Sequence, residues 1–129
     1  MTSWKAAGLG LLLLAGPVAM SVLAALPEPP GFRLNGDPQR GRAEYMQRCA
    51  LCHGETGNGR GKLAASLNPK PVDFTTPGML AKRSDWQLYL VVRDGGPAIG
   101  LSPKMLPWGK IMTDQQIRDA AAYVRSLAK

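Results

Sequence analysis

Both cysteines of this chain and its only histidine fall in one short run, Cys49-Ala50-Leu51-Cys52-His53. That crowding restricts the fold more than any other feature. Two cysteines cannot build the multi-disulfide scaffold that holds many small exported domains. A bond between them would be strained across two intervening residues and would leave His53 without a role. A structural zinc site needs four ligands, and no second histidine or cysteine pair is present to complete one. A thioredoxin-like redox pair opens a helix in a βαβ context, whereas this pair closes a predicted helix.

The chemistry that uses all three residues is covalent haem attachment through C-x-x-C-H. Two thiols three positions apart at a helix end can each add across one haem vinyl group. The next residue then places an imidazole under the iron as the proximal ligand. The expected cofactor is one haem c attached through Cys49 and Cys52, with His53 as a metal ligand. The sixth ligand is sought among the methionines beyond the N-terminal segment: Met46, Met79, Met105 and Met112. Met46 lies on the same helix as the proximal side and cannot reach the opposite face. Met112 stands just before the last helix, where a core role is the simpler reading. Met105 sits in Ser102-Pro103-Lys104-Met105-Leu106-Pro107-Trp108, where prolines on both sides stiffen the loop and block a helix. It is far enough beyond His53 to wrap to the distal face, so Met105 is the expected axial ligand, with Met79 or an open or Lys-filled position as alternatives.

Residues 6–27 carry no charge and follow Lys5. A basic residue, an apolar run through Leu11-Leu12-Leu13-Leu14 and small residues near Val22 and Ala24 have the layout of a secretory signal. The competing reading is a retained anchor, since the run just reaches the roughly 20 residues a bilayer span needs. Gly16-Pro17 and the small residues favour cleavage, and either way Lys5 directs the rest of the chain across the membrane. The expected organisation is therefore a signal peptide or anchor over 1–24, a Pro-rich linker or loose N-terminus over 25–35, and one domain over 36–129.

Within that domain, Asp37-Pro38 has the signature of a helix start. Ser84-Asp85-Trp86-Gln87 and Thr113-Asp114-Gln115-Gln116 have capping-box spacing. Leu88, Val91 and Val92 recur at helical spacing, as do Ile117, Ala120, Ala121, Val124 and Leu127. Gly54, Gly57, Gly59 and Gly61 mark a loop, and residues 96–112 form another with three prolines. No convincing strand pattern appears. The chain reads as all-α, with three to four short helices and long loops. Loops that long in so small a domain need something to wrap around, which points to a large buried cofactor.

Read in order, these pieces resemble the class I c-type cytochromes. The resemblance covers about residues 36–128. It rests on Gly41-x-x-x-Tyr45-x-x-x-Cys49-x-x-Cys52-His53-Gly54, Gly57-x-Gly59-x-Gly61, Leu67-x-Pro69-x-Pro71-x-Asp73-Phe74, Ser102-Pro103-x-Met105 with Trp108-Gly109, and Ala122 to Leu127. In many relatives Pro directly follows the ligand Met, whereas here Leu106 intervenes before Pro107. The resemblance implies that Gly41 and Tyr45 mark the crossing of the first and last helices, Tyr45 packing near Tyr123 and Val124. It also implies that Pro69, with Pro71 as competitor, offers a carbonyl to the second imidazole nitrogen of His53. Trp108 is expected against the haem, and Trp86 in the core.

Ligation by His and Met fills both axial positions, and the soft thioether favours ferrous iron and raises the potential. The expected task is one-electron transfer through an exposed haem edge, in an exported, periplasmic, monomeric carrier that is not an enzyme. A membrane-tethered subunit of a respiratory or dehydrogenase complex is the alternative. A haem enzyme with an open sixth position is the more distant one. The formal net charge is +7, of which Lys5 in the leader contributes one. That excess suits redox partners with acidic docking faces, or an anionic lipid surface, with Lys62, Lys104 and Lys110 near the rim. Dispersed basic residues on an exported chain argue against nucleic acid.

Overall fold

The computed structural model describes residue 1 and residues 26–129. The leader expected over 1–24 therefore lies outside the described residues, apart from Met1. The described residues form four α-helices: α1 (Pro38–Arg48), the single turn α2 (Ala50–His53), α3 (Asp85–Asp94) and α4 (Asp114–Ser126). Three short 3₁₀ turns punctuate the connections, at Ala64–Ser66, Leu80–Lys82 and Gly96–Ile99. The described residues contain no strand, and the fold is all-α, as the helical periodicities predict.

Local chemistry explains where the helices begin. The Asp37 carboxylate accepts from the backbone amides of Gln39 and Arg40, with Pro38 in the first turn of α1. At α3 the Ser84 hydroxyl accepts from the Gln87 amide while the Gln87 side chain accepts from the Ser84 amide. Thr113 and Gln116 repeat that exchange at α4. Each exchange satisfies two amides that a helix start leaves without partners. α3 stops at Gly95, which takes φ 85°, a conformation other residues resist.

The tightest junction is the crossing of α1 and α4. A Cβ at Gly41 would collide with the Asp119 carbonyl of α4, so only glycine lets the two backbones come this close. Ala120 and Ala121 keep the α4 side of the crossing equally lean, and both are buried. Below it, the rings of Tyr45 and Tyr123 meet at 5.0 Å between centroids. Ile117, Ala120, Ala121 and Val124 turn one apolar stripe of α4 inward. α3 adds Leu88, Leu90 and Val92 to the same core, and Met112 is buried there as expected.

The other face of α3 carries Trp86 and Tyr89, stacked at 5.3 Å, with Phe32 edge-on to Trp86 at 4.9 Å. Trp86 is thus a core residue, as expected. The Pro-rich stretch preceding α1 is fastened here over its described part. Trp86 Nε1 donates to the Leu26 carbonyl at 3.0 Å, and Arg118 donates to the carbonyls of Arg33 and Leu34. Composition alone suggested a loose tether, because the anchoring atoms are main-chain carbonyls that leave no mark in the sequence.

Candidate functional site

Cys49 closes α1, its amide donating to the Tyr45 carbonyl at 2.8 Å, and the turn α2 carries Cys52 and His53. The glycine-rich loop then folds back over that turn. Leu63 donates to the Leu51 carbonyl at 2.9 Å, Gly61 to Cys52 at 3.1 Å and Gly59 to His53 at 2.8 Å. The Tyr45 hydroxyl donates to the Gly54 carbonyl at 2.7 Å. Four successive carbonyls are thereby held, and with them the motif. Gly61 is required because a Cβ there would strike the Leu51 carbonyl.

The His53 ring is stacked on Phe74, 4.7 Å between centroids and 18° from parallel. Phe74 is itself placed by its amide, which donates to the Gly57 carbonyl at 2.7 Å. Burial holds the His53 pKa below its usual value, opposed by the Val72 backbone. The imidazole is therefore neutral near pH 7, the form that binds a metal. Its Nδ1 is buried and has no hydrogen-bond partner among the described residues. Neither cysteine is in a disulfide. Burial pushes the Cys49 thiol up to about 12, with the Arg48 charge opposing. A redox-active pair instead needs a depressed thiol pKa. Among the described residues no three His, Cys, Asp or Glu side chains converge to hold a metal, so a zinc site lacks its donors.

All six residues expected at the site border one cavity of about 390 Å³: Cys49, Cys52, His53, Pro69, Met105 and Trp108. That volume lies in the range of roughly 300–1,000 Å³ usual for ligand and cofactor pockets. Tyr45, Leu80, Leu88, Val91, Val92, Ala121 and Val124 supply apolar walls from every part of the core. Met79 borders the cavity too, so both candidate sulfurs stand at it. Met46 and Met112 do not, and Trp86 lies elsewhere. Lys104 is at the rim, whereas Lys62 and Lys110 are exposed residues away from the lining.

The lining fits a haem. It joins two thiols and an orphaned imidazole to apolar walls, and its charged members are Arg48, Lys70, Arg83 and Lys104, with no carboxylate among them. Such a wall suits a flat apolar ring that carries acidic side groups. Sequence reasoning missed the stacking role of Phe74 and the position of Arg83. Phe74 was visible only as part of a motif, and Arg83 had no signal beyond its charge.

A family profile described as cytochrome c oxidase, cbb3-type, subunit III matches residues 36–124. The chain is 28% identical over 89 residues to the Cbb3-type cytochrome c oxidase subunit CcoP of Azospirillum brasilense, a match covering 69% of this chain and 28% of that protein. It therefore spans well under a third of that relative. Among solved structures it is similar to the Kuenenia stuttgartiensis reducing HAO-like protein complex Kustc0457/Kustc0458, with TM-score 0.56 and 30% identity, covering 74% of this chain and 44% of that one. It is also similar to the KustC0563 c-type cytochrome, with TM-score 0.56 and 27% identity, covering 69% of this chain and 98% of that one.

Proposed function

Because this chain belongs to the cytochrome c oxidase, cbb3-type, subunit III family and is a class I c-type cytochrome, we propose that it is an exported, periplasmic monohaem electron carrier in which His53 and Met105 would bind the haem iron. The observation that carries this reading is the meeting of Cys49, Cys52, His53 and Met105 at one acid-free apolar cavity. When bound, the haem supplies a single iron that accepts and returns one electron.

The chain's own residues do the rest. Cys49 and Cys52 would hold the ring by thioether bonds, so retention does not depend on packing. Phe74 fixes the plane of the His53 imidazole, and the bonds to the carbonyls of residues 51–54 fix the turn beneath it. Pro69 or Pro71, or Val72 whose backbone already acts on the ring, would offer the carbonyl that satisfies Nδ1 and sets the basicity of the ligand. Leu80, Leu88, Val91 and Val92 exclude water, and a low-dielectric wall favours the less charged ferrous state. Met105 stands in a loop tied at both ends, for its carbonyl accepts from Gly96 at 2.9 Å and Trp108 donates to Val92 at 3.0 Å. With His53 and Met105 both bound to the iron, no position would remain for a substrate, so the proposed task is electron transfer. Leu106, next to Met105 and 61% exposed, puts an apolar contact at the cavity rim, suited to brief encounters with acidic-faced redox partners.

A second reading is favoured by the CcoP relative: the same domain as a membrane-tethered subunit of an oxidase or dehydrogenase complex. The match to 98% of the KustC0563 chain favours a single c-type cytochrome domain over these residues. The ferric protein tests the ligation. A Met-to-iron charge-transfer band and exclusion of cyanide at modest concentration are expected. Rapid cyanide binding by the unaltered protein would assign it instead to haem proteins with an open position.

A further inference from the structure

The haem cavity is bordered by four cationic side chains, and they are not equivalent. The Arg48 guanidinium is paired with Glu44 and bonded to Gln47. Lys70 Nζ donates to the carbonyls of Ala64 at 2.9 Å and Ala65 at 2.6 Å. Arg83 and Lys104 remain, and neither head group has an ion pair or hydrogen bond among the described residues. The carboxylates around Arg83 do not serve it. Asp85, two residues on, is taken by Arg125, and Glu28, which borders a neighbouring groove together with Arg83, is exposed and forms no ion pair among the described residues.

Arg83 differs from Lys104 in how it is mounted. It is half-buried, whereas Lys104 is exposed. Its main chain is gripped on both sides. Arg125 donates to the Arg83 carbonyl at 2.7 Å and to the Leu80 carbonyl at 2.6 Å, while the Arg83 amide donates to Leu80 at 3.1 Å. The capping box of α3 follows at once. A fixed backbone thus holds a residue with an unpaired guanidinium at the border of the cavity, within reach of an anionic group that enters it. Leaving such a cation half-desolvated without a partner is costly, and a guanidinium fork matches a carboxylate with two parallel bonds.

We propose that Arg83 is the side chain that receives a haem propionate carboxylate, and that its charge helps set the potential of the iron. This rests on the haem reading of the cavity. The cation compensates the propionate, so the iron feels less negative charge and the ferrous state is favoured. Removing the cation has the opposite effect and also makes that propionate easier to protonate.

The test is redox titration of the holoprotein against pH, for the natural chain, Arg83→Gln, Arg83→Lys and Lys104→Gln. Arg83→Gln is expected to lower the midpoint potential and to move the inflection of potential against pH upward by about one to three pH units. Arg83→Lys recovers most of both effects, and Lys104→Gln shows neither. The ferric Met-to-iron band, unchanged in all four proteins, shows that axial ligation is intact. An Arg83→Gln curve that superimposes on that of the natural protein overturns the assignment, as does the full effect appearing in Lys104→Gln. Natural protein lacking haem overturns the underlying reading instead, an outcome plainly distinct from either.

Discussion

Asp119 is a carboxylate almost wholly out of water, 3% exposed, on the face of α4 that meets the start of α1. It accepts from the Asp37 amide at 2.7 Å, from Arg40 Nε at 2.8 Å and from Gln115 at 2.9 Å. Burial pushes its pKa up, but these bonds outweigh burial and hold it below the usual carboxylate range. Its contribution to stability is therefore complete above the unfolded-state value of about 3.9 and is lost as pH falls through the lower folded-state value. Asp119→Ala should cost about 2–3 kcal/mol at pH 7, typical of bonds to a charged group with an amide left unserved. The gap between the thermal melts of the two proteins should start to narrow below about pH 4 and close only once pH is under the folded-state value; a gap that stays constant down to that point would show that packing, not charge, is responsible. Met105 is the other decisive residue. Met105→Ala should lower the potential and admit cyanide to the iron, read by absorption. If neither changes, Met79 on the same cavity becomes the ligand. Prolines on both sides single out Met105 in the sequence, and both residues border the cavity.

At the scale of elements, the crossing of α1 and α4 carries the fold. Gly41→Ala would drive a methyl group into the Asp119 carbonyl, which backbone movement must absorb. A loss of about 3 kcal/mol is expected, the upper end of overpacking costs, read by denaturant unfolding. An unchanged midpoint would mean that the helices part freely. The helices were legible because their starts are written in short polar signals. Asp37-Pro38, Ser84 with Gln87, and Thr113 with Gln116 all form the caps they spell. The end of the first helix was legible too, since the cysteine pair closes it as expected and α1 ends at Arg48 with Cys49 as its cap. The separate turn α2 was not, because it forms where the glycine loop claims the carbonyls that follow. Such bonds join main-chain atoms and depend on no side chain beyond the glycines that permit them. The same reason hid the docking of Leu26 on Trp86.

At the scale of the molecule, the long connections converge on the cavity, with Pro69, Pro71 and Phe74 from one and Leu101, Met105 and Trp108 from another at its lining and apolar residues of α3 and α4 between them. The motif at 49–53 made this arrangement readable in advance, since it names both the cofactor and the end of the cavity where it is attached. The far wall was readable only through Met105 and Trp108. Leu80 and Arg83 reach the cavity from the short turn before α3, which no local pattern encodes. A domain this small has little core of its own, and the cofactor is expected to complete it. Everything above depends on the porphyrin being bound by Cys49 and Cys52. The most direct test is the intact mass of protein matured in its own host, measured under denaturing conditions with its absorption spectrum. The account predicts a coloured chain heavier than its polypeptide by one haem, with or without the leader. A colourless chain whose mass is that of its amino acids alone would contradict it.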